Sequence, residues 1–194
     1  MGESKWKTMA EKTTILRCVV GSEAYGLAQP DGTSDRDEKG VCIEDFETAF
    51  TLNGVFEEYE FRTATERTGK KDAKSEAGDL DLVIYSLRKF LRLATYGNPN
   101  IIELLFIKAP HIVGGDARGG QLQDLYPAIV SRQAGRRYLG YMEAQKQRLK
   151  GERGQMRVTR TDLIETHGYD TKYASHVIRL GLQGIELLET GKLV

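Results

Sequence analysis

"GSEAYGLAQPDGTSDRD" (residues 21–37) has a Gly-Ser pair at its start and an Asp-x-Asp pair at its end. The short apolar run "ILRCVV" (15–20) precedes it and predicts a buried strand that ends at Gly21. The turn-forming run "QPDGTS" (29–34) follows, and "DRDEKGVCI" (35–43) predicts a second strand that begins polar and becomes apolar. The stretch therefore predicts two strands joined by a connection that opens with Gly-Ser and closes on two aspartates.

Two more strands are predicted further along the chain. "FEEYEF" (56–61) alternates weakly and predicts an edge strand, whereas "DLDLVIY" (79–85) predicts a third central strand. The segment between them, residues 63–78, is polar and rich in Lys, Glu, Thr and Ala, and it predicts a loop.

The pattern becomes helical after these strands. "SLRKFLRLATYG" (86–97) and "NPNIIELLFI" (98–107) predict helices, and the glycine-rich "VGGDARGG" (113–120) predicts a loop. Long helices are predicted from about residue 121 to 150 and from about 170 to 189.

This order of elements predicts the fold class and the domains. Because strands come first and helices later, we expect an α+β fold with a mixed β-sheet and helices, followed by a C-terminal helical part. We expect one domain over residues 1–110 and a helical domain over residues 111–194.

Charge is distributed unevenly along the chain, although its 28 basic and 28 acidic residues balance. Residues 44–81 hold eleven acids and five bases, a balance of −6, whereas residues 132–160 hold nine bases and two acids, a balance of +7. A basic segment is typical either of a site for a polyanionic ligand or of a solvated helix face, and the sequence leaves both interpretations open.

The cellular compartment of the protein can also be predicted from the sequence. Cys18 and Cys42 lie in apolar runs without metal-ligand spacing, so we expect buried free thiols in a reducing compartment. The chain has no signal-peptide pattern at residues 1–12 and no apolar run of membrane-spanning length. We therefore expect a cytoplasmic protein without a membrane partner.

The carboxylates at the starts of two predicted strands indicate a metal site. Asp35 and Asp37 point to the same face of their strand, since residues i and i+2 do so, and Asp79 or Asp81 on a neighbouring strand supplies a third acid. Periodicity leaves open which of these two it is. Clustered carboxylates need a cation, and hard oxygen ligands suit Mg²⁺ or Mn²⁺, as two-metal phosphoryl transfer requires.

The sequence contains no motif typical of several other kinds of catalytic or binding site. There is no GxxxxGK[ST] loop, no HExxH pair and no Cys/His zinc spacing. Phosphate contact is instead predicted at Gly21 and Ser22, where the glycine lets the backbone approach an anion and the serine hydroxyl donates to it.

Gly21-Ser22, the twelve residues 23–34 and Asp35-x-Asp37 resemble the hallmark of the nucleotidyltransferase superfamily that includes DNA polymerase beta. The likeness extends over three longer segments: "GSEAYGLAQPDGTSDRDEKGV", "YSLRKFLRLATYGNPNIIELLF" and "GYDTKYASHVIRLGLQGIELLETG". They are spread over roughly residues 15 to 190 and resemble the predicted nucleotidyltransferases of the RNA-repair-pathway polymerase beta family from bacteria and phages.

The resemblance implies a metal-dependent enzyme that moves an NMP from an NTP to an acceptor hydroxyl and releases pyrophosphate. It implies that Gly21 and Ser22 hold nucleotide phosphates and that Asp35 and Asp37 bind two Mg²⁺ (or Mn²⁺) ions. The family pattern places an acid four residues before the Tyr of "YSLRKF", which favours Asp81 over Asp79 as the third catalytic and metal-binding acid. The first domain is then the catalytic one.

The last predicted helix carries a polar stripe at helical spacing: Lys172, His176, Arg179, Gln183 and Glu186. A solvated face explains Gln183 and Glu186. For the other three, the resemblance implies nucleotide binding, with Lys and Arg pairing to phosphate oxygens.

Two departures from the family pattern stand out. Position 36 is Arg where the superfamily often has an apolar residue, and family members usually continue past Leu193-Val194, so we expect a C-terminal piece to be missing. The resemblance and the basic segment favour an RNA 3′ end as acceptor. Alternative acceptors are a protein and a small molecule. An alternative to catalysis is a role as a nucleotide-binding regulator or toxin–antitoxin component. The sequence does not indicate an oligomeric state.

Overall fold

The computed structural model describes residues 2–26, 35–50, 55–153 and 160–194, with side chains except at positions 2–4 and 22. The predicted turn at residues 29–34 lies outside them. The protein is α+β, with a five-stranded mixed sheet and helices, as predicted. The chain forms two compact units. The sheet unit comprises Met1–Arg92 and Ile107–Tyr126, and the helical unit comprises Leu93–Phe106 and Pro127–Val194.

The sheet has the strand order β3-β4-β2-β1-β5. Its strands are β1 (Thr14–Val19), β2 (Arg36–Cys42), β3 (Glu58–Arg62), β4 (Leu80–Ser86) and β5 (Ile112–Gly115). The β2–β4 pair is parallel and the other three pairs are antiparallel. β3 is therefore an edge strand and β4 an inner one, as the sequence predicts.

The helices of the described ranges account for the rest of the regular structure. They are α1 (Gly2–Thr13), α2 (Gly21–Ala24), α3 (Phe46–Ala49), α4 (Thr63–Thr68), α5 (Leu87–Thr95), α6 (Pro99–Ile102), a 3₁₀ turn (Glu103–Leu105), α7 (Ala117–Asp124), α8 (Tyr126–Ile129), α9 (Gln133–Leu149), α10 (Thr161–His167) and α11 (Thr171–Thr190). None of them combines the length and apolar character that crossing a bilayer requires. The boundary predicted between residues 110 and 111 stays a prediction.

The core of the sheet unit lies between α1 and one face of the sheet. Met9 and Ala10 of α1 are buried in one cluster with Cys42, Leu82 and Ile84 from the central strands. Cys18 and Cys42 are buried thiols outside any disulfide bond, as expected. Burial raises the pKa of the Cys42 thiol to about 12, so this thiol stays protonated and unreactive.

The prediction of a loop at residues 113–120 is wrong. This segment forms the end of β5 and the start of α7, with Asp116 accepting a hydrogen bond from the N–H of Arg118 as N-cap. An added Cβ on Gly115 or Gly119 would lie 2.2 or 2.3 Å from the carbonyl oxygen of Ile15. The glycines therefore permit close packing against β1 rather than flexibility.

The loop predicted over residues 63–78 is also wrong in its first part, which forms α4. One residue of this helix, Ala64, is buried, so its sequence shows no apolar periodicity. The helix ends at Gly69, which adopts φ +70° and accepts the left-handed conformation common at helix ends.

The helical unit is organised around α9 and α11. Tyr138 of α9 is buried with Leu180 and Leu187 of α11. The two helices approach closely because α11 carries glycines: a Cβ on Gly184 would lie 3.1 Å from the Cβ of Tyr138. α11 begins after Asp170, whose carboxylate accepts hydrogen bonds from two backbone N–H groups of its first turn.

Candidate active site

Three carboxylates meet at one end of the central strands. Asp37 of β2 and Asp81 of β4 are direct register partners across the parallel pair, and Asp35 immediately precedes β2. Each of the three offers a carboxylate oxygen, and these oxygens lie within 4.8 Å of one another. All three side chains remain partly open to solvent, so the cluster can hold a divalent cation.

Gly21 lies against this cluster. Its φ is +71°, in the left-handed region, and an added Cβ would lie 2.7 Å from Oδ2 of Asp37. The backbone N–H of Val20 donates to the carbonyl oxygen of Asp37 over 2.9 Å, which fixes the glycine beside β2. Position 21 therefore requires glycine both for its backbone conformation and for its short distance to Asp37. The side chain of Ser22 lies outside the described residues.

Asp81 has two partners besides the other acids. Nε of Arg62 donates to Oδ2 of Asp81 over 3.1 Å, and the hydroxyl of Ser75 lies 3.1 Å from both carboxylate oxygens. Arg62 also donates to the carbonyl oxygens of Lys71 and Ala73. This guanidinium therefore orients Asp81 and offsets part of the negative charge of the cluster.

Asp79 is placed differently from Asp81. It precedes β4, and its carboxylate turns back to accept the N–H of Glu76 and a bidentate pair of hydrogen bonds from Arg67, over 2.8 and 3.1 Å. The hydrogen bond from the Glu76 N–H, together with Arg67, lowers the pKa of Asp79. The strand alternation begins only at Leu80, and so Asp81, not Asp79, is brought to Asp35 and Asp37.

Arg36 points away from the acid cluster. Its Nε donates to Oε1 of Glu38 over 2.7 Å, and its Nη1 lies 3.7 Å from Oε1 of Glu23. Glu38 is buried and also pairs with Arg17. The arginine between the two aspartates therefore forms ion pairs on the opposite face of β2, where its charge is compensated.

In the helical unit, the structure brings two of the three predicted residues of α11 together. Nη2 of Arg179 lies 3.3 Å from Nδ1 of His176, and Nη1 of Arg179 lies 3.9 Å from the buried carboxylate of Glu103. Lys172, one turn nearer the start of the helix, is exposed. Burial lowers the pKa of His176, and the charge of Arg179 lowers it further.

His176 and Arg179 line a cavity of about 600 Å³ within the helical unit. Its other basic residues were not singled out in the sequence: Arg136, Arg137, Arg148 and Arg153. The excess of positive charge over residues 132–160 signals them as a group. Which of them share a cavity depends on how α9 packs, and no local motif indicates that.

The sequence patterns did not indicate Arg62, Ser75 or Arg67 either. Arg62 is the cross-strand register partner of Asp81 on β3, so its role becomes visible only when the pairing of β3 with β4 is known. An opposite charge on a neighbouring predicted strand is the one signal that could have indicated it.

A mixed sheet whose adjacent parallel strands bring three carboxylates together beside a glycine turn, followed by helices, is the arrangement of a polymerase beta-like nucleotidyltransferase. The chain belongs to the RNA repair pathway DNA polymerase beta family (RlaP), whose family model matches residues 3–194.

A phage protein is also similar to this chain. This chain is 26% identical over 148 residues to a protein of Enterobacteria phage T4, which is described as an uncharacterized 38.9 kDa protein in the nrdC-mobD intergenic region. The match covers 72% of this chain and 40% of the phage protein, so the matched segment spans less than half the length of that relative.

Proposed function

We propose that this protein transfers a nucleoside monophosphate from a nucleoside triphosphate to an acceptor hydroxyl, most favourably an RNA 3′ end, with release of pyrophosphate. The observation that carries the proposal is the meeting of Asp35, Asp37 and Asp81 within 4.8 Å, in a chain of the polymerase beta family. We further propose a cytoplasmic location.

The residues fit a divalent cation, because three carboxylates offer hard oxygen ligands close to one another, and we propose two Mg²⁺ (or Mn²⁺) ions there. Asp35 and Asp37 would hold both ions, and Asp81 would hold the one next to the acceptor. When bound, such ions neutralise charge on the attacking and leaving oxygens.

In the proposed reaction, the acceptor oxygen attacks the α-phosphorus in line with the bond to the β-phosphate. A new P–O ester bond forms, the α–β P–O bond breaks, and its electron pair leaves with pyrophosphate. The acceptor proton passes to Asp81 or to solvent. Positioning and charge neutralisation supply most of the rate enhancement.

Nucleotide contacts are proposed at two places in the chain. Gly21 and Ser22 would hold the β- and γ-phosphates, and Lys172, His176 and Arg179 would bind the nucleotide through its phosphates. The support is the left-handed glycine beside Asp37 and the shared cavity of His176 and Arg179.

The acceptor is proposed from the family description, which refers to RNA repair, and from the basic segment over 132–160. Transfer to a protein hydroxyl or to a small molecule would use the same carboxylates and stays the alternative. A non-catalytic nucleotide-binding role, as a regulator or toxin–antitoxin component, would not need three clustered carboxylates.

The test is transfer of label from each α-³²P NTP, with Mg²⁺ or Mn²⁺, into separate pools of RNA, protein and small molecules. We expect labelled RNA that loses its label to a 3′ exonuclease. Asp35→Ala and Asp37→Asn should abolish transfer, whereas Asp72→Asn, which removes an exposed acid of the same unit, should not. Transfer that survives Asp35→Ala would contradict the proposal.

A further inference from the structure

One side of α9 borders three adjoining cavities of the helical unit. The first, of about 580 Å³, is lined by Arg132, Gln133, Arg136 and Arg137. The second is the cavity of about 600 Å³ that His176 also lines, and it shares Arg136 and Arg137 with the first. The third, of about 260 Å³, lies beside Tyr96 and shares Arg137 and Tyr141 with the second. The cavities therefore adjoin one another along α9, and the surface that they line together is here called the path.

Positive charge lines this path. Six arginines border it. Arg179 is one of them, and the other five are here called the arginine track: Arg132, Arg136, Arg137, Arg148 and Arg153. Among the residues that the structure describes, no aspartate or glutamate lines any of the three cavities. Within the same ranges, the exposed guanidinium groups of Arg136 and Arg137 form no ion pair with a carboxylate. Their charge is available to an anionic ligand.

The extent of the track favours a polymer over a single phosphate group. Arg132 and Arg148 are sixteen positions apart along the helix, which at the α-helical rise corresponds to roughly 24 Å. A nucleotide can occupy the part next to His176 and Arg179, but its phosphates cannot reach both ends. A chain of regularly spaced phosphates can.

The third cavity adds an aromatic surface. Tyr96 is 55% exposed, and Tyr141 lies beside it on α9. The middle of the track is open, because Gly140 and Ala144 line the second cavity and no heavy atom lies within 4 Å of an added Cβ on Gly140. Flat bases can stack on tyrosine rings in such a path, and only a single strand exposes them.

We propose that the arginine track binds the phosphodiester backbone of a single-stranded nucleic acid, with Tyr96 and Tyr141 stacking its bases. The proposal rests on the proposed function only in taking this strand to be the acceptor; binding itself requires neither metal nor nucleotide.

The test is fluorescence anisotropy of a labelled, unstructured RNA and of a DNA of the same sequence, in EDTA without NTP, between about 50 and 200 mM salt. The 194-residue chain should bind single strands more tightly than a duplex of the same sequence, with an affinity that falls steeply with salt. Arg136→Gln/Arg137→Gln should weaken binding by about tenfold or more and reduce the magnitude of the slope of log K against log salt by about 1.4, because each lost phosphate contact removes about 0.7.

Two further variants distinguish the track from general charge. Gly140→Glu places a carboxylate in the open middle of the track and should abolish binding, while the matched Gly120→Glu on α7, where an added Cβ also meets nothing within 4 Å, should not. Tyr96→Leu should weaken single-strand binding about fivefold or more and leave the salt slope unchanged, because the ring carries no charge.

The proposal is overturned if neither oligonucleotide binds, if the double arginine variant retains the parent affinity and slope, or if polyglutamate of equal charge competes as well as RNA does. Binding by Asp35→Ala separates the two proposals. If this variant loses transfer and keeps RNA binding, both stand. If the parent protein shows no transfer at all but binds RNA through the track, only the proposed function fails.

Discussion

A Cβ on Gly21 would lie 2.7 Å from Oδ2 of Asp37, closer than real Cβ atoms approach an oxygen. Gly21→Ala should therefore displace the Asp37 carboxylate as well as strain a backbone at φ +71°. We expect a loss of about 1–2 kcal/mol in the free energy of unfolding from the backbone and a fall in transfer rate of about 100-fold from the misplaced carboxylate. Thermal unfolding and the label-transfer assay measure the two effects.

Gly69 supplies the matched control. Its φ is +70°, yet nothing lies within 4 Å of an added Cβ. Gly69→Ala should cost a similar amount of stability and leave transfer per folded molecule unchanged. Equal activity in the two variants would show that the contact with Asp37 has no role.

Asp79→Asn and Asp81→Asn should have different effects. Asp79→Asn removes the ionised partner of Arg67, so it should lower the melting temperature at pH 7 and spare transfer. Asp81→Asn should reduce transfer by about 100-fold or more. Because the folded pKa of Asp79 is lowered, its stabilisation is present above the usual carboxyl pKa and is lost as the pH falls through the folded value. The stability difference between parent and Asp79→Asn should then shrink below about pH 4. A difference that persists there would contradict this assignment.

Metal binding should stabilise the sheet unit. When the free ion is present at one hundred times its dissociation constant, binding adds about 2.7 kcal/mol to the free energy of unfolding. This corresponds to a rise of roughly 5–10 °C in melting temperature. Asp37→Asn should abolish this rise in Mn²⁺ and should not lower the melting temperature in EDTA, because it removes one of three mutually repelling charges. Asp72→Asn should retain the rise. Scanning calorimetry in EDTA and in Mn²⁺ measures it, and an undiminished rise in Asp37→Asn would exclude the cluster as the site.

His176 should make the helical unit sensitive to acid. Burial, with the charges of Arg179, Arg160 and Lys172, lowers its folded pKa, and Asp170 opposes them in part. Below the unfolded pKa of about 6.5 the unfolded chain takes up a proton that the folded chain resists. The free energy of unfolding therefore falls as the pH drops through 6.5. Urea unfolding of the parent and His176→Gln at pH 7.5, 6.5 and 5.5 should show a parent that loses more stability than the variant. His167→Gln, which replaces an exposed histidine, is the control, and parallel losses in parent and His176→Gln would refute the prediction.

The strands and the acids that they carry could be predicted because their signals are local. Asp35 and Asp37 are two residues apart at the start of a strand, and two-residue periodicity is enough to place them together. Periodicity left open whether Asp79 or Asp81 joins them, because that depends on the residue at which β4 begins. The sequence pattern defines such a boundary poorly, since the pairing of Asp79 with Arg67 of α4 is a tertiary contact.

Other parts of the site depend on contacts between distant segments. Gly115 and Gly119 are indistinguishable in sequence from loop glycines, and their reason is the carbonyl oxygen of Ile15, about a hundred residues earlier. Arg62 reaches Asp81 through strand register, and the arginines of α9 form a track only through the packing of that helix. Charge counts predict such groups, but not which members share a surface.

The direct pairing of Asp37 with Asp81 has an evolutionary consequence. Residues 38–80 separate them along the chain, yet hydrogen bonding between β2 and β4, and not the length of that segment, sets their distance. Doubling the length of a loop costs only about 0.6 kcal/mol of closure entropy. Insertions and deletions in the connections on either side of β3 can therefore accumulate in descendants of this chain while the spacing of the two carboxylates stays constant.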